Sequence, residues 1–479
     1  MRLLHDLAKT RAVFDEPALV SHAGLVPVMA LAEQAGLGRL VGEHVRPGGK
    51  CGVNAAAKAG CVVAGMAAGA DSIEDLGVLR HGAMGRVLAG VRAPSTLGSH
   101  LRAYSLGNAA QLEKASREFL VSLARRVPLL PGAQELAFVD IDATLKRAYG
   151  HKKQGARFGH ARAGGKDVLV KGLSALVATV STPLAAPVIA GTRLRGGNAA
   201  SSRGAASFAA RAVRTARACG ATGTVIVRMD SAYYGAATLH AIRRAGARFS
   251  VTVPLRADIT RAIAAVPDGA WTPVRYPRAI WDPQLGCWVS GAEIAETRYT
   301  AFAGNPRAPR GPGQPALPDR AITARLIIRR VRDRGKDAAS GQGELFGAWR
   351  YHAVFTDSPF ILAQAEEQHR DHAVIEQVFA DQNDGPLAHL PSGKFAASAA
   401  WLTLAAITAN LLRAAGTLAS RAHAKARAAT IRRDLIAVAA RTARHGRGHL
   451  TLHLPGRWHR ERAWTNLYTA ACGPPPAPA

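Results

Sequence analysis

Two apolar, strand-like runs lying far apart in this chain each carry an aspartate at or near their C-terminal end. FVDIDATL (138–145) places Asp142 there, and TVIVRMDSAYYG (224–235) places Asp230. Open α/β sheets gather their sites at the carboxyl ends of their strands, so the two carboxylates are expected to meet. A third segment, HRDHAVIEQVF (369–379), reads as a helix presenting Glu376. Three converging carboxylates repel one another unless cations lie between them. The pattern therefore predicts a divalent-metal site at Asp142, Asp230 and Glu376.

The runs around these acids set the organisation. LAFVDIDATL, LSALVATV (173–180) and PVIAGTRLR (187–195) read as three successive strands. SSRGAASFAARAVRTARACG (201–220) reads as a helix with a Ser start and Gly220 stop. TVIVRMD, GAATLHAIRRAG and FSVTVP then continue as strand, helix and strand. The order β-β-β-α-β-α-β, with acids on the first and fourth strands, is that of a ribonuclease-H-like core, although other α/β folds share parts of it. The expected fold class is thus α/β, with a ribonuclease-H-like core over 131–254 and 355–416. A β-rich insertion over 255–354, with a Pro/Gly linker at 304–318, interrupts it. Residues 1–130 read as a helical, DNA-binding region. In it Gly36 breaks one apolar helix in two, and APSTLGSHLRAYS starts a second candidate with Ser95 as N-cap and Ser99, His100 and Arg102 on its exposed face. Residues 417–479 read as a helical region ending in the disordered tail GPPPAPA.

Charge points to the partner. The 479 residues hold 62 Lys plus Arg against 33 Asp plus Glu, a formal net charge of +29. Such a field attracts polyanions, and counterion release from phosphates drives nucleic-acid binding. A generally basic or ribosome-associated protein is the plainer alternative, but a 48% hydrophobic chain of this length builds two or three packed domains. The five cysteines are odd in number and scattered without zinc spacing, which fits a reducing cytoplasm. The N-terminus holds no apolar core of signal-peptide length. Phe395 to Leu412 is uncharged, but Ser398, Thr403, Thr408 and Asn410 interrupt it, and a buried core helix is expected over a membrane span. No nucleotide-cradling glycine loop is present.

Several side chains compete for each role. Asp140 shares a strand face with Asp142, which makes it a candidate to support the site. Glu366 and Glu367 read as the solvated start of the helix that carries Glu376, while Glu376 sits among Val374, Ile375 and Phe379. The segment from Lys146 to Lys171 reads as a basic loop. It carries Lys146, Lys152, Lys153 and Arg157, with Tyr149 and Phe158 interleaved to stack on an unpaired base.

Taken together, VDIDAT with YGHKKQGARFGH, RLRGGNAAS, VRMDSAYYG and the stretch from EQHRDHAVIEQVF through NDGPLAHLPSGKFAASAAWLTLAAITANLLR resemble the DDE transposases of bacterial insertion sequences. The family is the one numbered thirteen-eighty, within the family-four clan, and the resemblance runs from about residue 19 to 465. It implies Asp142, Asp230 and Glu376 as the catalytic and metal-binding triad. Two Mg²⁺ ions about 3.5–4 Å apart, replaceable by Mn²⁺, would activate water and then a 3′-hydroxyl for attack on phosphodiesters. It further implies transposon ends and target DNA as partners, a homodimer in the synaptic complex, no membrane and no nucleotide cofactor, and a cytoplasmic, nucleoid-associated location in a bacterium. One departure stands out. The clan spaces a Tyr, an Arg, the Glu and a Lys along this helix, where the chain has His369, His372, Glu376 and Asn383. DNA gripping would then fall to Arg370, His372 or Lys394, with Lys146, Lys152, Lys153 and Arg157 from the basic segment. A non-catalytic DNA-binding derivative and a nuclease of the same fold are the alternatives.

Overall fold

The computed structural model describes residues 4–150, 152–163, 166–275, 279–284, 287–289, 291–303, 320–332 and 349–473. The 304–318 linker and all but the first residue of the C-terminal tail lie outside them. The chain is a mixed α/β protein built on a ten-stranded mixed sheet.

The first 130 residues are helical. Helix α1 (Leu25–Gln34) and α2 (Leu37–His44) are joined at Gly36, whose φ of +80° lies in the left-handed region that glycine enters without strain. Helix α3 (Ala55–Ala68) follows, then α4 (Pro94–Arg102) and α5 (Leu106–Arg126), the last opened by a reciprocal Ser105–Asn108 capping box. The α4 cap is Ala93, not Ser95, because Pro94 already takes the first helical position. His100 is also not on an outward face. It is buried, with Nδ1 2.9 Å from the Cys51 carbonyl, because α4 packs the Leu97, His100 and Leu101 side inward.

The sheet begins with β1 (Leu136–Arg147), followed by β2 (Arg157–Ala163), β3 (Lys166–Thr182) and β4 (Ala185–Gly196). The segment expected as a basic loop is therefore largely a β2–β3 hairpin, with Arg157 opposite Gly172. Helix α6 (Ala205–Ala218) comes next; glycines flank it, Gly204 as N-cap and Gly220 just past the end, and no Ser caps it. Then come β5 (Thr224–Met229), α7 (Ala236–Arg244) and β6 (Arg248–Val253). Strand β1 is antiparallel to β3 and parallel to β5, β3 is antiparallel to β4, and β5 is parallel to β6. Across this half the order is β4-β3-β1-β5-β6.

After helix α8 (Ala257–Ala264), three long strands follow: β7 (Ala292–Ala301), β8 (Ile322–Arg332) and β9 (Trp349–Thr356). They do not form a sheet of their own. Strand β9 pairs with β6 through Ala353–Val253, so the β-rich segment extends the central sheet in the order β6-β9-β8-β7.

Helices α9 (Leu362–Arg370) and α10 (Val374–Asn383) are separated by a 3₁₀ turn at Asp371–Ala373. Helix α11 (Phe395–Ala419) is long and apolar enough to cross a membrane, but 89% of its most apolar window is buried inside the fold. It packs on α5 and β4. Its polar residues have internal partners: Ser398 donates to the Ser392 carbonyl, Thr403 to Ala399 and Thr408 to Leu404. Asn410 bonds both backbone groups of Ile189, at 2.7 and 2.8 Å, where the β3–β4 register slips by one residue. A bulge leaves backbone groups without ladder partners, and the amide supplies them. Helix α12 (Glu461–Cys472) closes the chain against α1 and α11.

Candidate active site

Residues opposite one another in a ladder share a face, so the pairing of Asp140 with Arg228 puts Asp140, Asp142, Arg228 and Asp230 on one face of the sheet. Asp142 sits at the point where β1 outruns its parallel partner, and Asp230 is the first residue after β5. Asp230 caps the short turn Ser231–Tyr233, accepting the Ala232 N–H at 3.0 Å. Asp142 accepts the Ala143 N–H at 2.7 Å.

Helices α9 and α10 and the turn between them lie across that same face, tied to four strands of the sheet. Glu366 pairs with Arg329 of β8 at 2.9 Å. His369 sits 2.9 Å from both Ser250 and Thr252 of β6. The Gln368 carbonyl accepts from Arg228 of β5 at 2.6 Å. His372 Nδ1 lies 2.9 Å from Asp140 of β1. Phe379 of α10 adds an apolar contact with Val177, Ile189 and Ala406.

Electrostatics separates the acids. Burial pushes the Asp142 carboxyl up to about 6; the Ala143 N–H opposes this, while the charges of Asp230 and Glu376 add to it and that of His372 subtracts. Asp230 is also raised, by burial first, against the Ala232 bond and His372. Asp142 thus feels both other acids, which is the repulsion a cation would relieve. Carboxylate oxygens are the donors that hard divalent ions take. The donor chemistry fits such an ion at Asp142, Asp230 and Glu376. The spacing is open, since among the described residues no three His, Cys, Asp or Glu side chains stand close enough to share one. Glu376 is exposed, not lodged in apolar company, because Ile375 takes the inward position of that turn.

Asp140 behaves differently. Its side chain is fully buried, and Arg228 grips it through two 2.7 Å bonds, Nε to Oδ1 and Nη2 to Oδ2. Burial alone would raise its carboxyl, but Arg228 and His372 outweigh it and hold it below the usual carboxylate range. Arg228 lies 4.0 Å above the Phe138 ring. Sequence reasoning missed Arg228. The signal was present as an arginine within an apolar strand, in register with Asp140 and two residues before Asp230.

The expected DNA-gripping residues divide. Lys152 and Arg157 are exposed, as are Tyr149 and Phe158. Lys146 is buried, donates to the Leu387 carbonyl at 2.7 Å, and is pushed down to about 8 by burial. Lys153 donates to the Leu390 carbonyl. Lys146 thus ties the 387–390 loop to β1, and Lys153 ties it to the connection between β1 and β2. Arg370 pairs with Glu366, which is buried and not part of a solvated helix start. Lys394 donates to the Arg102 carbonyl. His369 is pushed down to about 3, by burial first, so it is a neutral core residue and not a cation for phosphates.

No family model matches the sequence, and no curated protein matches it. Among solved structures, a cryo-EM structure of the piggyBac transposase synaptic complex with hairpin DNA aligns with 86% of this chain and 79% of that chain. The identity is 10% and the TM-score 0.41, a likeness too distant to carry any weight in reading the site.

Proposed function

We propose that the chain is a transposase of the DDE kind, a metal-dependent enzyme that cuts transposon ends and transfers strands into target DNA. The observation that carries this reading is the placement of Asp142 and Asp230 on one face of two adjacent parallel strands, Asp142 where β1 outruns β5 and Asp230 just past the end of β5. The β4-β3-β1-β5-β6 order supports the ribonuclease-H-like reading of the core. Assignment to the thirteen-eighty insertion-sequence family rests on the sequence motifs. Bound divalent cations, Mg²⁺ or Mn²⁺, would supply Lewis-acid polarisation of phosphodiester oxygens. The protein's own part is to hold the three carboxylates in fixed relation and to present DNA through its net charge of +29, with Lys152 and Arg157 as exposed backbone contacts. Transposon-end binding by the helical N-terminal region, a homodimeric synapse and a nucleoid-associated cytoplasmic setting belong to the same proposal.

A second reading has one observation in its favour. The open spacing of the acids fits a DNA-binding derivative that no longer cuts. The two part on a cleavage assay with the DNA flanking the coding sequence. Asp142→Ala, Asp230→Ala and Glu376→Ala should each lower Mg²⁺-dependent nicking by at least 10³-fold while DNA affinity stays within about threefold. A parent protein that binds these ends yet never nicks them, in Mg²⁺ or Mn²⁺, establishes the non-catalytic reading instead.

A further inference from the structure

A few residues before each candidate metal-binding carboxylate stands one member of a single polar network centred on buried Asp140. On β1, Asp140 precedes Asp142 by two residues; on β5, Arg228 precedes Asp230 by two; on the turn entering α10, His372 precedes Glu376 by four. The three meet at Asp140, with Arg228 held at 2.7 Å through two bonds and His372 at 2.9 Å. Both arms are charge-assisted bonds in a site shielded from water, where such bonds are short and strong. Asp140 has no exposed surface and Arg228 almost none, so neither can reach DNA.

We propose that Asp140, Arg228 and His372 are positioning residues that set the mutual placement of Asp142, Asp230 and Glu376, and so the affinity of that site for divalent cations. The inference rests on the reading of the three carboxylates as the metal site. Arg228 fixes β5 against β1 and adds a bond to the Gln368 carbonyl, which seats the end of α9. His372 is the decisive arm. It stands in the 3₁₀ turn between α9 and α10, and its bond to Asp140 is the polar tie closest in sequence to Glu376. An ionised carboxylate only accepts, so His372 carries a proton on Nδ1 and donates it to Asp140 Oδ1. At a position where the resemblance leads one to expect an arginine that grips DNA, the chain thus has a shorter side chain turned into the protein. Outer partners bonded directly to a metal ligand typically contribute about 10- to 100-fold to metal affinity, the scale against which this arm, acting through the backbone, is measured.

The test is Mn²⁺ binding to the full-length protein, followed by titration calorimetry without DNA, beside thermal melting without metal. His372→Leu removes the donor, whereas His372→Asn restores one at the Nδ1 position. The Leu variant should bind Mn²⁺ roughly 10- to 100-fold more weakly than the parent, with Asn recovering most of that loss. Equal affinities for parent, Leu and Asn overturn the inference. A Leu loss that Asn does not recover also overturns it, because it would mark a packing effect and not a donated bond. Asp142→Ala serves as the arm for the underlying site. If it binds Mn²⁺ as tightly as the parent, or the parent binds none, the metal-site reading itself fails.

Discussion

Asp140 and Asp142 are two residues apart on one strand face, yet their surroundings drive them in opposite directions. Burial would raise both, but Arg228 and His372 hold Asp140 below the ordinary range. Asp142, without such partners, is pushed up to about 6 by burial first and by the charges of Asp230 and Glu376 in addition. The ordinary value is 3.8, so the folded state holds the Asp142 proton more tightly than the unfolded chain does. Folded stability is therefore lost as pH rises from about 3.8 to about 6, and the full deficit persists above that. Asp142→Asn removes the deficit. It should be more stable than the parent at pH 7 by roughly 1–3 kcal/mol, with the advantage shrinking to nothing near pH 4. Urea denaturation at several pH values checks this; an advantage independent of pH would show that charge is not its source. Which of the two aspartates faces the other acids could not be read from the period-2 pattern, because alternation puts both on the same face. What separates them is Arg228, a residue on another strand 88 positions away.

At the scale of elements, hydrophobic patterning was informative where a segment's own residues decide its state. The apolar runs became β1, β5 and β6, and the uncharged stretch from Phe395 became the buried helix α11. Where pairing with a distant strand decides, the sequence was silent. The basic 146–171 segment reads as a loop by composition, yet half of it pairs as β2 with β3. The helix bearing Glu376 reads as continuous, but His369 and His372 reach for different strands, and the chain turns between them. Polar residues within α11 likewise find their purpose only in the partner strand. Asn410→Leu keeps the volume but strands the N–H and carbonyl of Ile189, costing roughly 2–5 kcal/mol of unfolding free energy. Chemical denaturation reads this, and a loss under about 1 kcal/mol would mean that the bulge is satisfied in another way.

At the scale of the molecule, the expected helical region 1–130 shares its core with the rest. Buried residues of α3 and α5 join those of α11 and the sheet in one continuous apolar cluster. Sequence composition marked a boundary near residue 130 because helices give way to strands there, but a change of element type is not a break in packing. A chain beginning at residue 131 would expose the α3- and α5-facing sides of α11 to water. It should lose cooperative unfolding and bind a hydrophobic dye, so selective loss of DNA recognition has to be sought with surface substitutions such as Lys152→Glu and Arg157→Glu. A truncated chain that melts cooperatively would show the region to be a separate domain.

If Asp142, Asp230 and Glu376 are the metal site proposed above, they must hold divalent cations together. Anomalous diffraction from crystals of the protein with Mn²⁺ and flanking DNA tests this most directly. Manganese density should lie between the Asp142 and Asp230 carboxylates with Glu376 drawn in, and His372 should still be on Asp140. Manganese at another set of side chains, or none while those three carboxylates keep their present open spacing, would contradict it.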